Sequence, residues 1–345
     1  MNWDMNWRAA PRNVFLATAL SATALSSLPA QAQDDEPREM LNASYDIARE
    51  LFAAVNPKFI AWWEAEHDET VAVNQSHGGS STQARSIMQG LRADVVTFNQ
   101  VTDVNVLADA GLVAEDWQDQ YPNNASPYYS TTAFLVRKGN PQNIESWDDL
   151  TRDDVSLIFP NPKTSGNGRY TYLAAWAYAD QAFDGDEEQI ESYMKQFLGN
   201  VEVFDTGGRG ATTTFVERDI GDVLITFESE VNNIRQEYGE EDYEVVVPPV
   251  SILAEFPVAV VDEYAERNGN DDLAHGYLDY LYTPEAQRLL ADFNYRVNDE
   301  EVAADNSDRF PETELLRVED VFGGWPEAME THFASGGELD QLQRR

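Results

Sequence analysis

Four short segments carry the residue types that could do chemistry here: Asn42-Ala43-Ser44-Tyr45-Asp46, Gln75-Ser76-His77-Gly78-Gly79-Ser80-Ser81, Pro162-Lys163-Thr164-Ser165-Gly166-Asn167-Gly168 and Asp205-Thr206-Gly207-Gly208-Arg209-Gly210. Each is a run of small polar residues between an apolar, β-branched stretch and a helical pattern. The helices they open are expected from Ile47, from Gln83, from Tyr170 and from Ala211. A helix N-terminus leaves backbone N–H groups without intrahelical partners, and its dipole adds roughly half a positive charge there. Gly allows close approach of the main chain, and Ser adds a hydroxyl donor. Ordinary helix capping explains any one such turn. Four of them, two on each side of a proposed domain boundary, point instead to an anion held by neutral donors. None has the G-x-x-x-x-G-K-[ST] or the G-x-G-x-x-G pattern, so a nucleotide is not expected.

Other chemistries find little support. The four histidines, His67, His77, His275 and His332, lack metal-ligand spacing. The paired carboxylates Asp153-Asp154 and Glu240-Glu241 fall in polar loops, where solvated charge explains them. Ser80 and Ser165 are not in the G-x-S-x-G setting of a hydrolase nucleophile. The chain has no cysteine, which removes thiolate nucleophiles, thiolate metal sites and disulfides. No cofactor, no metal and no enzymatic activity are expected. Phe322 and Trp325 read as packing residues.

The elements that must position the four turns read as α/β. Strands are expected at Glu39–Ala43, Val71–Val73, Asp94–Thr97, Thr131–Val136, Ser156–Phe159, Val201–Phe204, Val223–Phe227, Tyr243–Val247 and Val258–Val261. Helical patterns cover Ile47–Trp63, Gln83–Leu91, Tyr170–Ala182, Ile190–Leu198, Ala274–Tyr282 and Pro284–Asp292. Strands joined by crossover helices make parallel sheets, with ligand clefts at the carboxyl ends of the strands. The polar loop Asn123 to Ser130 and the Pro248-Pro249 break bracket a central segment. They divide the chain into one lobe of residues 38–122 and 248–345 and a second lobe of residues 123–247, with a cleft between them.

Residues 1–32 read as a signal peptide: Arg8 and Arg12, an apolar stretch from Val14 to Leu28, then Ala30-Gln31-Ala32 with cleavage before Gln33. No cysteine follows to take a lipid, so the mature chain is expected free in the periplasm, as a monomer. Its net charge is −39, from 62 acidic and 23 basic residues. With 42% hydrophobic residues this is a folding composition and not a disordered acidic tail. A surface for a basic partner is one reading; a solvated carboxylate coat suited to high salt is favoured. Either argues against nucleic acid or an anionic membrane as partner.

LNASYD (41–46), QSHGGSS (75–81), ADVVTFNQVTDV (93–104), FPNPKTSGNGRYTYLAAW (159–176), VFDTGGRGATTTFVER (203–218), FESEVNNIR (227–235), ILAEFPVAVVD (252–262) and SGGELD (335–340) resemble the periplasmic sulfate- and thiosulfate-binding proteins. The likeness covers nearly the whole mature chain and is nearest the thiosulfate-binding branch. It implies a two-lobed periplasmic-binding-protein fold of type II, with a hinge and an interlobe cleft. It also implies thiosulfate or sulfate as ligand and the permease subunits of an inner-membrane ABC importer as partner. Carried over by position, it implies backbone N–H donors from Asp46, Ser80, Gly166, Asn167 and Gly208, and a hydroxyl donor from Ser165. Arg169 and Arg209 are expected to pair with carboxylates such as Asp46 behind the ligand, and His77 to orient its loop. Phe227 stands where the sulfate branch has Trp, and Asn167 where it has Gly. Both follow the thiosulfate branch, and an aromatic face at Phe227 would meet a terminal sulfur at little desolvation cost. Thiosulfate is therefore expected first and sulfate second. An oxyanion sensor docking on a membrane receptor, and a binder of another tetrahedral oxyanion, are the alternatives. Phosphate, which carries a proton, would want an acceptor.

Overall fold

A computed structural model describes residues 36–344; the signal-peptide reading of residues 1–32 lies outside them. The chain begins with β1 (Arg38–Ser44), α1 (Arg49–His67), β2 (Val71–His77), α2 (Ser80–Met88), β3 (Val95–Thr97) and α3 (Val101–Asp109). A turn, α4 (Pro122–Ala125), precedes β4 (Tyr128–Ser130), β5 (Thr132–Arg137), β6 (Leu157–Pro160), α5 (Gly166–Ala182) and α6 (Glu187–Gly199). Then come β7 (Val201–Asp205), α7 (Gly208–Thr212), β8 (Val223–Phe227), α8 (Glu228–Tyr238) and β9 (Tyr243–Val246). The last third holds β10 (Val250–Ile252), β11 (Ala254–Glu255), β12 (Val258–Val260), α9 (Asp262–Asn268), α10 (Asp271–Tyr280), α11 (Pro284–Asp292), β13 (Arg296–Val297) and, after further helical turns, β14 (Glu314–Leu316).

Two principal sheets form, of order β12-β3-β1-β2 and β7-β6-β8-β5-β9. They are mixed and not purely parallel. Pairs joined by crossover helices are parallel, as in β1 with β2 and β6 with β7, while β12 runs antiparallel to β3, and β5 to both β8 and β9. Residues 128–130, expected as loop, form β4, which pairs with β11 and β13 in a three-stranded sheet. One residue later the chain enters β5 of the five-stranded sheet. Among the described residues no helix is long and apolar enough to cross a membrane.

Burial follows the residue pattern. The strand β8, VLITF, is buried along its whole length, as a central strand covered on both faces requires. The helix α1 buries Leu51, Phe52, Val55, Phe59 and Trp63, a stripe at helical spacing, each large side chain contributing about 1.5–3 kcal/mol. Phe59 meets Tyr277 of α10 edge-on at 4.9 Å between ring centroids. The helix α5 is buried almost all round, from Gly166 through Ala175, so its N-terminus is held in the interior of the molecule.

Candidate functional site

All four turns lie where a strand hands over to a helical segment. β1 leads into a 3-10 turn, Asp46–Ala48, that continues as α1; β2 leads to α2, β6 to α5, and β7 to α7. Three of the helices begin earlier than the apolar pattern indicates, at Ser80, Gly166 and Gly208. The small polar residues themselves form the first helical turn, so their main-chain N–H groups are the ones left open.

The turns converge on one cavity of about 20 Å³, whose wall includes Asp46, Ser80, Ser165, Gly166, Asn167 and Gly208. Contacts between turns show how tightly they close. A Cβ on Gly207 would sit 3.3 Å from Asp46 Oδ2, and one on Gly208 would sit 3.5 Å from Ile47 Cγ2 and 3.8 Å from Asn167 Nδ2. A Cβ on Gly166 would sit 3.1 Å from Asn99 Oδ1, and Ser80 Oγ donates to that same oxygen at 2.8 Å. Such a volume admits a ligand of a few heavy atoms and no sugar or peptide. No Lys or Arg lines it; its polarity comes from main-chain amides and neutral side chains, apart from Asp46.

Ser165 caps α5, its Oγ accepting from Gly168 N at 3.4 Å, which leaves its proton free to donate elsewhere. Asn167 lines the cavity, and its side-chain Nδ2 donates to Thr226 Oγ1 at 2.6 Å. Asp46 Oδ1 accepts from the Ile47 N–H at 3.1 Å. Burial raises the Asp46 carboxyl above its usual range, while the Ile47 amide and the nearby Arg209 pull it down.

The arginines meet partners other than Asp46. Arg209 pairs with Glu50 of α1, Nη2 lying 3.2 and 3.0 Å from the two carboxylate oxygens, and not with Asp46. The Arg209 side chain projects from α7 toward the first turn of α1, where Glu50 is exposed and Asp46 is not. Arg169 is buried. Its Nε donates to Pro162 O at 3.2 Å and Nη1 to Thr102 Oγ1 at 3.4 Å, and its charge acts on the buried Asp103. It fastens the third turn to α3. His77 Nδ1 lies 3.3 Å from Tyr45 O, joining the first two turns; burial lowers its pKa.

Phe227 does not border the cavity. Its ring is fully buried against Phe256 at 5.2 Å and Tyr170 at 5.8 Å between centroids, because the last residue of β8 faces the aromatic core. Its face is therefore not placed to meet a terminal sulfur in the cavity. Conversely, Asn99 lines the cavity and was not singled out from sequence. It follows β3 in a turn without the Gly or Ser that marked the other four. Beside it Gln100 is fully buried, with neither amide atom partnered. Among the described residues no cluster of His, Asp and Glu could hold a metal ion.

A thiosulfate-binding protein of Escherichia coli (strain K12) is 62% identical over 306 residues, which span 88% of this chain and 90% of the relative. A sulfate-binding protein of Salmonella typhimurium (strain LT2) is 46% identical over 307 residues, 89% of this chain and 93% of the relative. The solved structure of the sulfate-binding protein SubI from Mycobacterium tuberculosis H37Rv superposes with a TM-score of 0.76 at 31% identity, covering 86% of this chain and 99% of that one. The family model described as bacterial extracellular solute-binding protein matches residues 47–296. The chain thus has the two-lobed α/β fold of these binding proteins and belongs to the bacterial extracellular solute-binding protein family.

Proposed function

We propose that this chain captures thiosulfate, with sulfate as second ligand, in the periplasm and delivers it to an inner-membrane ABC importer. It is a binding protein and not an enzyme. The observation that carries the reading is the small cavity enclosed by four helix-opening turns with no basic side chain on its wall. A fully ionised tetrahedral anion needs donors all round, and main-chain N–H groups supply them without a cation to trap the ligand. The donors are the main-chain N–H groups of Asp46, Ser80, Gly166, Asn167 and Gly208, and the Ser165 hydroxyl. The higher identity to the thiosulfate-binding relative than to the sulfate-binding one favours thiosulfate first.

The working parts follow from the same reading. Residues 38–122 with 248–345 form one lobe and residues 123–247 the other, with the hinge where β4 and β11 run side by side. Two turns come from each lobe, so lobe closure brings all donors onto the anion at once. The sequence Ala30-Gln31-Ala32 supports export with cleavage before Gln33, and the permease subunits of the importer are the partner of the closed, monomeric form.

Calorimetric titration of the purified chain with thiosulfate, sulfate, molybdate and phosphate tests this. Reversible binding of thiosulfate and sulfate without turnover is expected. Absence of binding to both, or tighter binding of phosphate, overturns it.

A further inference from the structure

The wall of the anion cavity includes one side chain whose hydrogen bonding is half spent. Ser80 Oγ accepts the main-chain N–H of Asn99 at 3.3 Å and lies 2.8 Å from Asn99 Oδ1. Ser80 Oγ donates its single proton to that oxygen, and the Asn99 N–H takes up one of its two acceptor lone pairs. This sets the Asn99 carboxamide with its oxygen toward Ser80. The amino group of that carboxamide then has no partner among the described residues. Asn99 is only 7% exposed, and the surface it retains faces the cavity it lines. An amide donor left open on a cavity wall can be satisfied by an acceptor that enters the cavity.

We infer that the Asn99 side-chain amide is a further donor to the bound oxyanion, fixed in direction by Ser80; this rests on the oxyanion reading above. The division of labour is clear. Ser80 gives the ligand its main-chain N–H and spends its hydroxyl on orienting Asn99. Asn99 supplies a second N–H from the β3–α3 turn, a part of the chain that the four Gly- and Ser-rich turns do not cover. The ring of donors is thereby closed by a fifth strand-to-helix junction.

Asn99→Ala and Asn99→Asp separate this role from a merely structural one. Asp keeps an oxygen to accept from Ser80, so a structural role is preserved. It replaces the amide donor with a negative charge facing the anion. Titrations with thiosulfate and with sulfate are made in 1 M NaCl, where the screening length is about 3 Å and only contact-range repulsion survives. Melting curves check that each variant is folded. The wild type should bind tightest, Asn99→Ala about 10-fold or more weaker, and Asn99→Asp weaker again. An Asp variant that binds as well as the wild type, or better than the Ala variant, overturns the inference, as does an Ala variant equal to the wild type. If the Ala variant does not fold, Asp against wild type decides alone, equal affinity being the overturning result. Failure of the wild type to bind either anion would refute the oxyanion reading itself, a separate outcome.

Discussion

Arg296 clasps Glu228 through two bonds, Nε to Oε2 at 2.6 Å and Nη2 to Oε1 at 2.9 Å. The Glu228 side chain is fully buried and that of Arg296 12% exposed; Nη2 also donates to Pro311 O at 2.8 Å. Glu228 opens α8 directly after β8, whereas Arg296 lies on β13, so the pair ties the five-stranded sheet to the three-stranded one. Removing one partner strands a buried charge. Glu228→Gln or Arg296→Met should each cost about 3–5 kcal/mol in urea unfolding, and the double variant Glu228→Met with Arg296→Met should cost less than either single change. Single variants within about 1 kcal/mol of wild type would contradict this.

Two glycines of neighbouring turns should behave oppositely. A Cβ on Gly168, in the first turn of α5, would collide with the carbonyl oxygen of Pro160 at the end of β6. That contact is backbone on backbone, so relief requires moving the helix N-terminus that lines the cavity. Gly79 has nothing within 4 Å of its Cβ position and an ordinary negative φ of −55°. Gly168→Ala should lower the melting temperature and weaken anion binding by 10-fold or more, the order of one lost charge-assisted donor. Gly79→Ala should leave the melting temperature nearly unchanged. Similar effects at the two positions would show that the close packing of α5 on β6 does not control the site.

What the sequence made legible was local. Strands such as β8, an unbroken buried run, and turns rich in Gly and Ser carry their signal in neighbouring residues. All four turns meet where their residue types indicated. The two-residue strands β11 and β13 carry no such signal; they exist because β4 offers edges to segments more than a hundred residues away. The helix α8 was missed because it buries only Glu228, Ser229, Val231 and Ile234, too polar a stripe to show an apolar period. The partner of Arg209 and the position of Asn99 are illegible for the same underlying reason. Which carboxylate an exposed Arg meets, and which Asn borders a cavity, depends on how distant segments come together.

The acidic surface has a kinetic consequence. A chain of net charge −39 repels a dianion at long range; the cavity wall holds no Lys or Arg, and Arg85, Lys163 and Arg169 at the adjoining pocket are few against it. At ~1 M salt the screening length falls to about 3 Å, so the coat no longer acts on an approaching ligand while the short-range donors still do. Thiosulfate association should therefore be faster in molar NaCl than at low ionic strength, with folding held constant. Stopped-flow rates that fall steadily as salt rises would exclude this account.

Glu230 should impose a pH dependence on stability. Its carboxylate borders a pocket of about 400 Å³ beside α1 and α7 and accepts from Thr212 Oγ1 at 3.2 Å. Burial first, then the nearby Asp46, pushes its pKa from 4.5 up to about 7; Thr212 and Arg209 oppose the shift, and Glu50 adds to it. Between these values the folded protein holds a proton that the unfolded chain has released. Stability from this group is thus complete below about pH 4.5 and is lost as pH rises toward 7. Glu230→Gln stays neutral throughout. The variant should gain stability over wild type progressively from pH 4.5 to 7, and the difference should level off above that. Urea unfolding of both proteins at intervals across pH 4.5–8 measures it directly. Two curves that remain parallel would mean that Glu230 titrates alike in the folded and unfolded chain, and that its neighbours do not act on it.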